Sequence, residues 1–581
     1  MYQVECCGFF RTGLHIGSGT EDVTQRAFRR TADGHVVVPG TSLAGTIRTH
    51  LTRLVPAMTA LESDGTKIIC DALLANPPTE DCKCIVCHLM GDINPQPIVR
   101  AKTGEAAGTR ASRLTISDGL VESHKTFVQD GVSIDRADGT AARAQMAKYD
   151  QEVLRNAQLC FSVSLEDAND LDQMLVRLIL DEMFAGRVYL GGSKGRGLGA
   201  FTLQSARPTQ LNLNDPAHLL HFLREDFPDS PEVRLPRALG RTHHASYRRI
   251  IGASAQPDLS LSSWVRIDVP MKGTGFFMTN DQTRANLNGL NHYALPVLPG
   301  ASIRGVLRSH AERIARTIAN QNSADEDDFL SRLPAAYPQA GQRDQTADEQ
   351  RRLVPLESTA SRLQRDEGMS EADREAPEYE WFDLAERLFG TTYFGSRLMV
   401  EDAPLTIEAP PKVLDFLAVD RFTGGGADGA KFDALVYWQP EFTLSLYLET
   451  PQPWEIGWLL VVLRDLIDGR LRFGFGSAKG FGAVNVLGTA VTLGWTYDAA
   501  FPIDDLRLIP QPHVEGYFYQ ATYDSFAALP IELRRGWNAA WLETVTNFTT
   551  TDVFTSAHLA NDPYWGRQSD GPALHEIYGV G

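Results

Sequence analysis

Four thiols crowd one short stretch of the chain: Cys70, Cys82, Cys84 and Cys87, with His88 beside the last. The pattern Cys-x11-Cys-x-Cys-x2-Cys supplies four soft ligands. Tetrahedral zinc prefers such a set, and a closed set of four is structural rather than catalytic. The flanking Pro77, Pro78, Thr79, Glu80, Asp81 and Lys83 make this a polar loop, a poor place for inert buried thiols. A second chemistry belongs to two glycine-rich runs, 191–199 and 473–482, which carry Lys194, Arg196 and Lys479. Bare backbone amides with interleaved cations suit a phosphate. Arg48, Arg304 and Arg308 open or lie on predicted helices, where a phosphate is favoured; a solvated helix face explains them equally well.

The elements that must position these residues are written twice. Val38-Pro39-Gly40-Thr41-Ser42-Leu43-Ala44-Gly45-Thr46-Ile47-Arg48 recurs as Leu298-Pro299-Gly300-Ala301-Ser302-Ile303-Arg304-Gly305-Val306-Leu307-Arg308. Each copy follows a β-rich stretch and opens a helix, with Ser42 or Ser302 expected as the N-cap. Ile134-Asp135-Arg136, with Lys148-Tyr149-Asp150 beyond, returns as Val419-Asp420-Arg421 with Lys431-Phe432-Asp433. Each half closes on its glycine-rich run. Three paired blocks in one order indicate a duplication: unit one at 1–205, a linker at 206–262, unit two at 263–490 and an aromatic extension at 491–581. Strand-like runs alternate with amphipathic helices in each unit, an α+β pattern.

Composition limits the function classes. With 581 residues, 43% apolar and 22% charged, the chain is an ordinary globular protein of more than one core. It shows neither an uninterrupted apolar run of roughly 18 residues nor a basic, then apolar, N-terminus, so a cytoplasmic protein without a membrane partner is expected. The net charge of −18 argues against nucleic acid only until it is located. Between Asp325 and Asp383, 16 acids face 7 arginines, so half the excess sits in an acidic insert at 322–385. All seven cysteines precede residue 161, and their clustering points to metal chemistry in a reducing compartment rather than a disulfide scaffold. No P-loop, dinucleotide fingerprint or Ser-His-Asp context appears, so nucleotide hydrolysis and acyl transfer find no support.

The repeated blocks resemble the RAMP proteins of CRISPR systems, in particular the backbone subunit of type III effector complexes. The likeness rests on Thr12-Gly13-Leu14-His15-Ile16-Gly17-Ser18-Gly19, the Pro-Gly helix starts and the Arg-Leu-x-Ile-x-Asp strand at 113–118. It also includes the Ile-Asp-Arg-x-x-Gly block and the glycine runs. Unit two carries weaker copies, including Arg397-Leu398-Met399-Val400-Glu401-Asp402. The resemblance implies a tandem fusion of two modified ferredoxin-like, RNA-recognition-motif-like domains with thumb hairpins, one zinc knuckle at 70–88 and a C-terminal extension. It further implies a guide RNA held by its backbone, complementary target RNA received by base pairing, and other type III effector subunits as partners. The thumbs would place Val132, Ile134, Phe422 and Phe432 near the duplex, with Arg136 and Arg421 beside them and Asp135 and Asp420 stabilising the turns.

The resemblance also implies cleavage of target RNA by a loop aspartate with magnesium or manganese, through 2'-hydroxyl attack on the neighbouring phosphate. Where family members often carry Asp-x-Pro-Val, this chain has Gln25-Arg26-Ala27-Phe28. Asp22 in unit one and Asp281 in unit two are the catalytic candidates that remain. His15 and His292 are candidate acids or bases, with a structural histidine the commoner reading. Two alternatives stand beside this: a scaffold without cleavage, and a metal-independent guide-processing endoribonuclease.

Overall fold

Period-two alternation in the first strand sets the architecture: Tyr2, Val4, Cys6, Gly8 and Phe10 of β1 (Tyr2–Phe10) are buried, as a half-buried sheet requires. The structure is a computed structural model. It describes residues 1–17, 28–58, 84–91, 111–122, 125–132, 148–224, 263–279, 297–322, 324, 337–338, 356–357, 382–391, 393–496, 513–515 and 518–548. There are two compact units. One comprises Met1–Val128, Gln151–Val265 and Thr492–Thr522; the other comprises Gln129–Asp150, Arg266–Val491 and Tyr523–Gly581.

In the first unit, β1 is followed by β2 (Val37–Val38), helix α1 (Gly40–Met58), helix α2 (Ile85–Met90), β3 (Leu114–Ile116) and β4 (Gly119–Glu122). A hairpin of β5 (Lys125–Val132) and β6 (Lys148–Arg155) comes next, then β7 (Gln158–Leu165), α3 (Asp170–Phe184), β8 (Phe201–Gln210) and α4 (Pro216–Leu223). The sheet runs β2-β4-β7-β1-β8, with β3 also on β7. Reduced to β1, α1, β3, β7, α3 and β8, this is the ferredoxin-like order, with β3, β7, β1 and β8 antiparallel in turn. Leu43, Ile47, Leu51 and Leu54 of α1 recur at helical spacing and are buried. Each such side chain contributes roughly 1.5–3 kcal/mol.

A second copy of this plan begins at β9 (Ser263–Gly273). By compactness, residues 129–150 of the first copy's hairpin count with the second unit, and residues 492–522 of the second copy with the first. After β9 the second copy contains β10 (Phe276–Phe277), β11 (Val297–Leu298), α5 (Gly300–Gln321), the short pair β12 (Tyr337–Pro338) and β13 (Leu356–Glu357), α6 (Leu384–Phe389), β14 (Leu398–Val400) and β15 (Ala403–Pro404). A long hairpin of β16 (Lys412–Val419) and β17 (Gly426–Trp438) leads to β18 (Glu441–Glu449), α7 (Pro453–Ile467) and β19 (Val484–Val486). Last come β20 (Ala490–Thr496), β21 (His513–Glu515), β22 (Phe518–Tyr523) and α8 (Ile531–Asn547). The sheet order is β14-β18-β9-β20-β22-β21, with β19 on β9.

The copies agree in register as well as order. Leu114 pairs with Leu165 as Leu398 pairs with Leu448, and Val37 with Leu120 as Val297 with Pro404. A register slip of one residue would turn every buried side chain outward, so this agreement is a strong mark of duplication. The aromatic extension docks through α8: Trp541 stacks on Trp458 of α7, ring centroids 4.5 Å apart and 9° from parallel.

Two expectations need correction. The α1 and α5 helices begin at Gly40 and Gly300, and their first amides are taken by Asp118 (2.7 Å) and Asp402 (2.8 Å) from a distant strand end, so Ser42 and Ser302 are not the caps. The cysteines are also not all free thiols, as a reducing compartment would require: Cys7 and Cys160, opposed across β1 and β7 with Cα atoms 4.2 Å apart, form a disulfide.

Candidate nucleic-acid interface

Each glycine run folds against the segment that follows its copy's first long strand, β1 or β9. In the first, the Gly192 amide donates to the His15 carbonyl (2.8 Å) and the Gly199 amide to that of Gly13 (2.7 Å). A Cβ at Gly191 would fall 2.5 Å from the His15 oxygen, and one at Gly199 2.1 Å from the Leu190 oxygen. Glycine is therefore demanded at these two positions by the protein's own backbone. A 3-10 turn, Lys194–Arg196, presents a half-buried Lys194 and an exposed Arg196. The second unit builds the same loop: the amide of Phe475 donates to Met278 (2.7 Å) and that of Gly482 to Phe276 (3.2 Å). Its 3-10 turn, Ser477–Lys479, leaves Lys479 exposed with its ammonium 5.9 Å from the centroid of the Phe475 ring.

Beside each loop stands a hairpin. In the second unit Asp420 fixes its tip, accepting from the Phe422 and Thr423 amides at 2.8 and 2.7 Å, and these bonds hold its carboxyl below the ordinary range. Arg421 is exposed and Phe422 is 99% exposed. Val413, Leu417 and Val419, at alternate positions of β16, also face outward, whereas Leu414 and Phe416 pack on a small core of Met278, Val436 and Phe481. In the first unit β5 and β6 form the corresponding pair. Its tip, with Ile134, Asp135 and Arg136, lies outside the described residues.

Two of the recurring arginines, Arg48 and Arg308, turn toward the protein's own carbonyls. Arg48 donates to the carbonyls of Met90 and Gly91 (2.8 Å for the latter) and reaches Cys87 Sγ at 3.6 Å. Arg308 donates to Gly390 (3.2 Å) and pairs with Glu312 (2.8 Å). Both satisfy carbonyls left open at the C-terminal end of a six-residue helix, α2 or α6. Half-buried Arg304 remains a candidate; its counterpart in the first unit is Ala44. His15 is likewise structural: it is 5% exposed, and its Nδ1 lies 2.8 Å from the Glu152 carbonyl.

Sequence reading passed over a set of buried ion pairs that recur at equivalent places. His50 and Arg187 flank Glu182 (3.3 and 2.6 Å) as His310 and Arg470 flank Asp465 (2.8 and 3.9 Å). Arg113 pairs with Asp172 as Arg397 does with Glu455. Part of the signal was available, since Arg187 follows Glu182 by five residues as Arg470 follows Asp465, whereas the histidines stand 132 and 155 residues from their acids. Glu152 was missed too; it accepts the Phe28 amide at 2.8 Å, next to the Gly17–Phe28 bridge.

The sequence profile of the RAMP superfamily matches residues 10–202 and again 277–485, one match per unit. The chain belongs to the RAMP superfamily. RAMP proteins bind RNA and work in complexes, which places this tandem RAMP protein among CRISPR-associated RNA-binding subunits. No curated protein matches the chain. Among the described residues, no helix is long and apolar enough to cross a membrane.

Of the four cysteines expected to hold zinc, two are described. Cys84 caps α2 and its Sγ accepts the Cys87 amide at 3.3 Å; both thiols are buried on one helical turn. An amide donor at a helix N-terminus favours the thiolate a metal needs, so these two residues fit the group. Cys70 and Cys82 lie outside the described residues, and those described contain no cluster of three metal-binding side chains. In the second RAMP domain Asp383 caps α6 and Glu386 follows at the Cys87 position. Burial, with Glu386 and Glu312 close by, raises the Asp383 carboxyl well above its ordinary range. Asp22, Asp281 and His292 also lie outside the described residues, as does Phe432's side chain.

Proposed function

We propose that this tandem RAMP protein is a guide-RNA-binding backbone subunit of a type III CRISPR ribonucleoprotein that captures complementary target RNA and cleaves it. The supporting observation is the repetition, in one chain, of a glycine loop with an exposed cation beside a hairpin that in the second domain ends in a fully exposed aromatic. Two such loops, each with a cation, suit successive phosphates of a single strand. Phe422 suits a wedge between bases. In this reading Lys194, Arg196, Arg304, Lys479 and Arg421 neutralise phosphate, and Ile134 and Arg136 do the work of the thumb in the first domain.

Cleavage is assigned to Asp22 and Asp281. A carboxylate in these loops orients the attacking 2'-hydroxyl, and bound magnesium or manganese would supply charge stabilisation at the scissile phosphate. Zinc on Cys70, Cys82, Cys84 and Cys87 is assigned a structural role, holding the loop of 59–83 to α2. The test uses the ribonucleoprotein purified with its guide. Asp22→Ala or Asp281→Ala removes one target cut and leaves RNA binding unchanged. Cutting that survives both substitutions, or proceeds in EDTA, overturns the assignment; the second outcome favours a guide-processing enzyme, and absence of any cut favours a scaffold. Metal analysis is expected to find one zinc per chain, lost in Cys84→Ser.

A further inference from the structure

The duplication makes each position of one domain comparable with its counterpart, and at the edge of the glycine loop the domains differ in kind. The Phe277–Tyr437 pair corresponds to the Leu14–Leu154 bridge, so Phe276 and Trp438 stand where the first domain has Gly13 and Arg155. Phe475 stands where it has Gly192, each donating its amide to the same carbonyl position. Three aromatics thus replace two glycines and an arginine around a loop whose backbone is otherwise kept.

These rings are not the interior of a core. Phe277 and Tyr437 point inward, while their strand neighbours Phe276 and Trp438 are 37% and 47% exposed, and Phe475 is 48% exposed. Phe276 and Trp438 meet edge to face at 5.0 Å. Phe276 is backed by buried Phe481 at 6.2 Å, which in turn meets Phe416 of the hairpin at 5.6 Å, so the pair rests on a rigid stack of rings. Lys479 and Arg472, both exposed, border it with positive charge.

We infer that Phe276 and Trp438 form a nucleobase-stacking platform in the second RAMP domain, for which the first domain has no equivalent. This rests on the RNA-binding reading above and adds a division of labour to it. The first domain holds single-stranded RNA by phosphate, through its cations; the second also holds it by a base face. Exposed aromatic surface bordered by cations is what an unpaired nucleotide requires, since every base offers a π face and every linkage a negative charge.

The test uses the full chain and a mixed-sequence single-stranded oligoribonucleotide, with an abasic oligomer of equal length as control. The double substitution Phe276→Leu/Trp438→Leu is expected to weaken binding of the base-bearing strand by roughly 5- to 100-fold, the range for losing one stacked base, without changing the salt slope. Affinity for the abasic strand stays the same, and Phe276→Tyr/Trp438→Phe binds as the parent does. Trp438 emission, taken as the parent minus Trp438→Phe, is quenched by the base-bearing strand alone; this reading does not depend on the leucine variant folding. Unchanged affinity in a folded leucine variant, or absence of that quenching while RNA is bound, overturns the platform. Failure of the parent chain to bind either strand overturns the RNA-binding reading itself and takes the platform with it.

Discussion

Arg48 illustrates how a charged residue in a repeated phrase serves packing. Its guanidinium closes the end of α2 by donating to Met90 and Gly91. Arg48→Met leaves those carbonyls without their donor, a loss of about 1–3 kcal/mol in urea denaturation, with RNA affinity unchanged. The buried acids Glu182 and Glu455 depend on pH with opposite signs. Burial alone would raise Glu182, but Arg187 and His50 outweigh it and hold the carboxyl at about 2, against an ordinary 4.5. Its contribution is present above 4.5 and disappears as pH falls toward 2. Burial lifts Glu455 to about 7 despite Arg397, so its folded form keeps a proton that the unfolded chain releases, and stability falls as pH rises from 4.5 to 7. Melting temperature against pH is expected to lose its acid-side slope in Glu182→Gln and its slope between 4.5 and 7 in Glu455→Gln. Each effect is on the order of 3 kcal/mol.

At the scale of elements, α8 lies close against α7. A Cβ on Gly457 would fall 2.1 Å from the Trp537 carbonyl, so only glycine lets α7 and α8 meet with Trp458 and Trp541 stacked. Gly457→Ala is expected to cost about 1–3 kcal/mol and to expose α8 to limited proteolysis, the parent resisting at the same protease dose. The glycines of the paired loops were legible as glycines. Their reason was not, because it lies in the carbonyls of His15 and Leu190, brought there by pairings that no local pattern encodes. The Asp420 turn was legible, since an aspartate two and three residues before free amides makes its bonds locally.

Across the whole molecule, the duplication was the most readable feature, because repetition compares a sequence with itself and needs no knowledge of burial. The inward turn of Arg48 and Arg308 was hidden for the converse reason: α2 and α6 lie far along the chain, across the cysteine loop in one copy and the acidic insert in the other. The Cys7–Cys160 bridge, 153 residues apart in sequence, depended in the same way on the register of β1 with β7.

Two sheets of like register in one polypeptide create a hazard during folding, because a strand from either copy finds hydrogen-bonding partners at the right spacing in the other. Gly8 guards against it. The ring of Phe201 and the carbonyl of Thr202 crowd that point of β8 to within 2.5 Å of where a Cβ would stand. Met271, which occupies the matching place in β9 opposite Val486, is too large for that slot. A β9 that took the place of β1 on β8 would therefore press the Met271 side chain on Phe201 and the Thr202 carbonyl, where β1 brings only a glycine hydrogen.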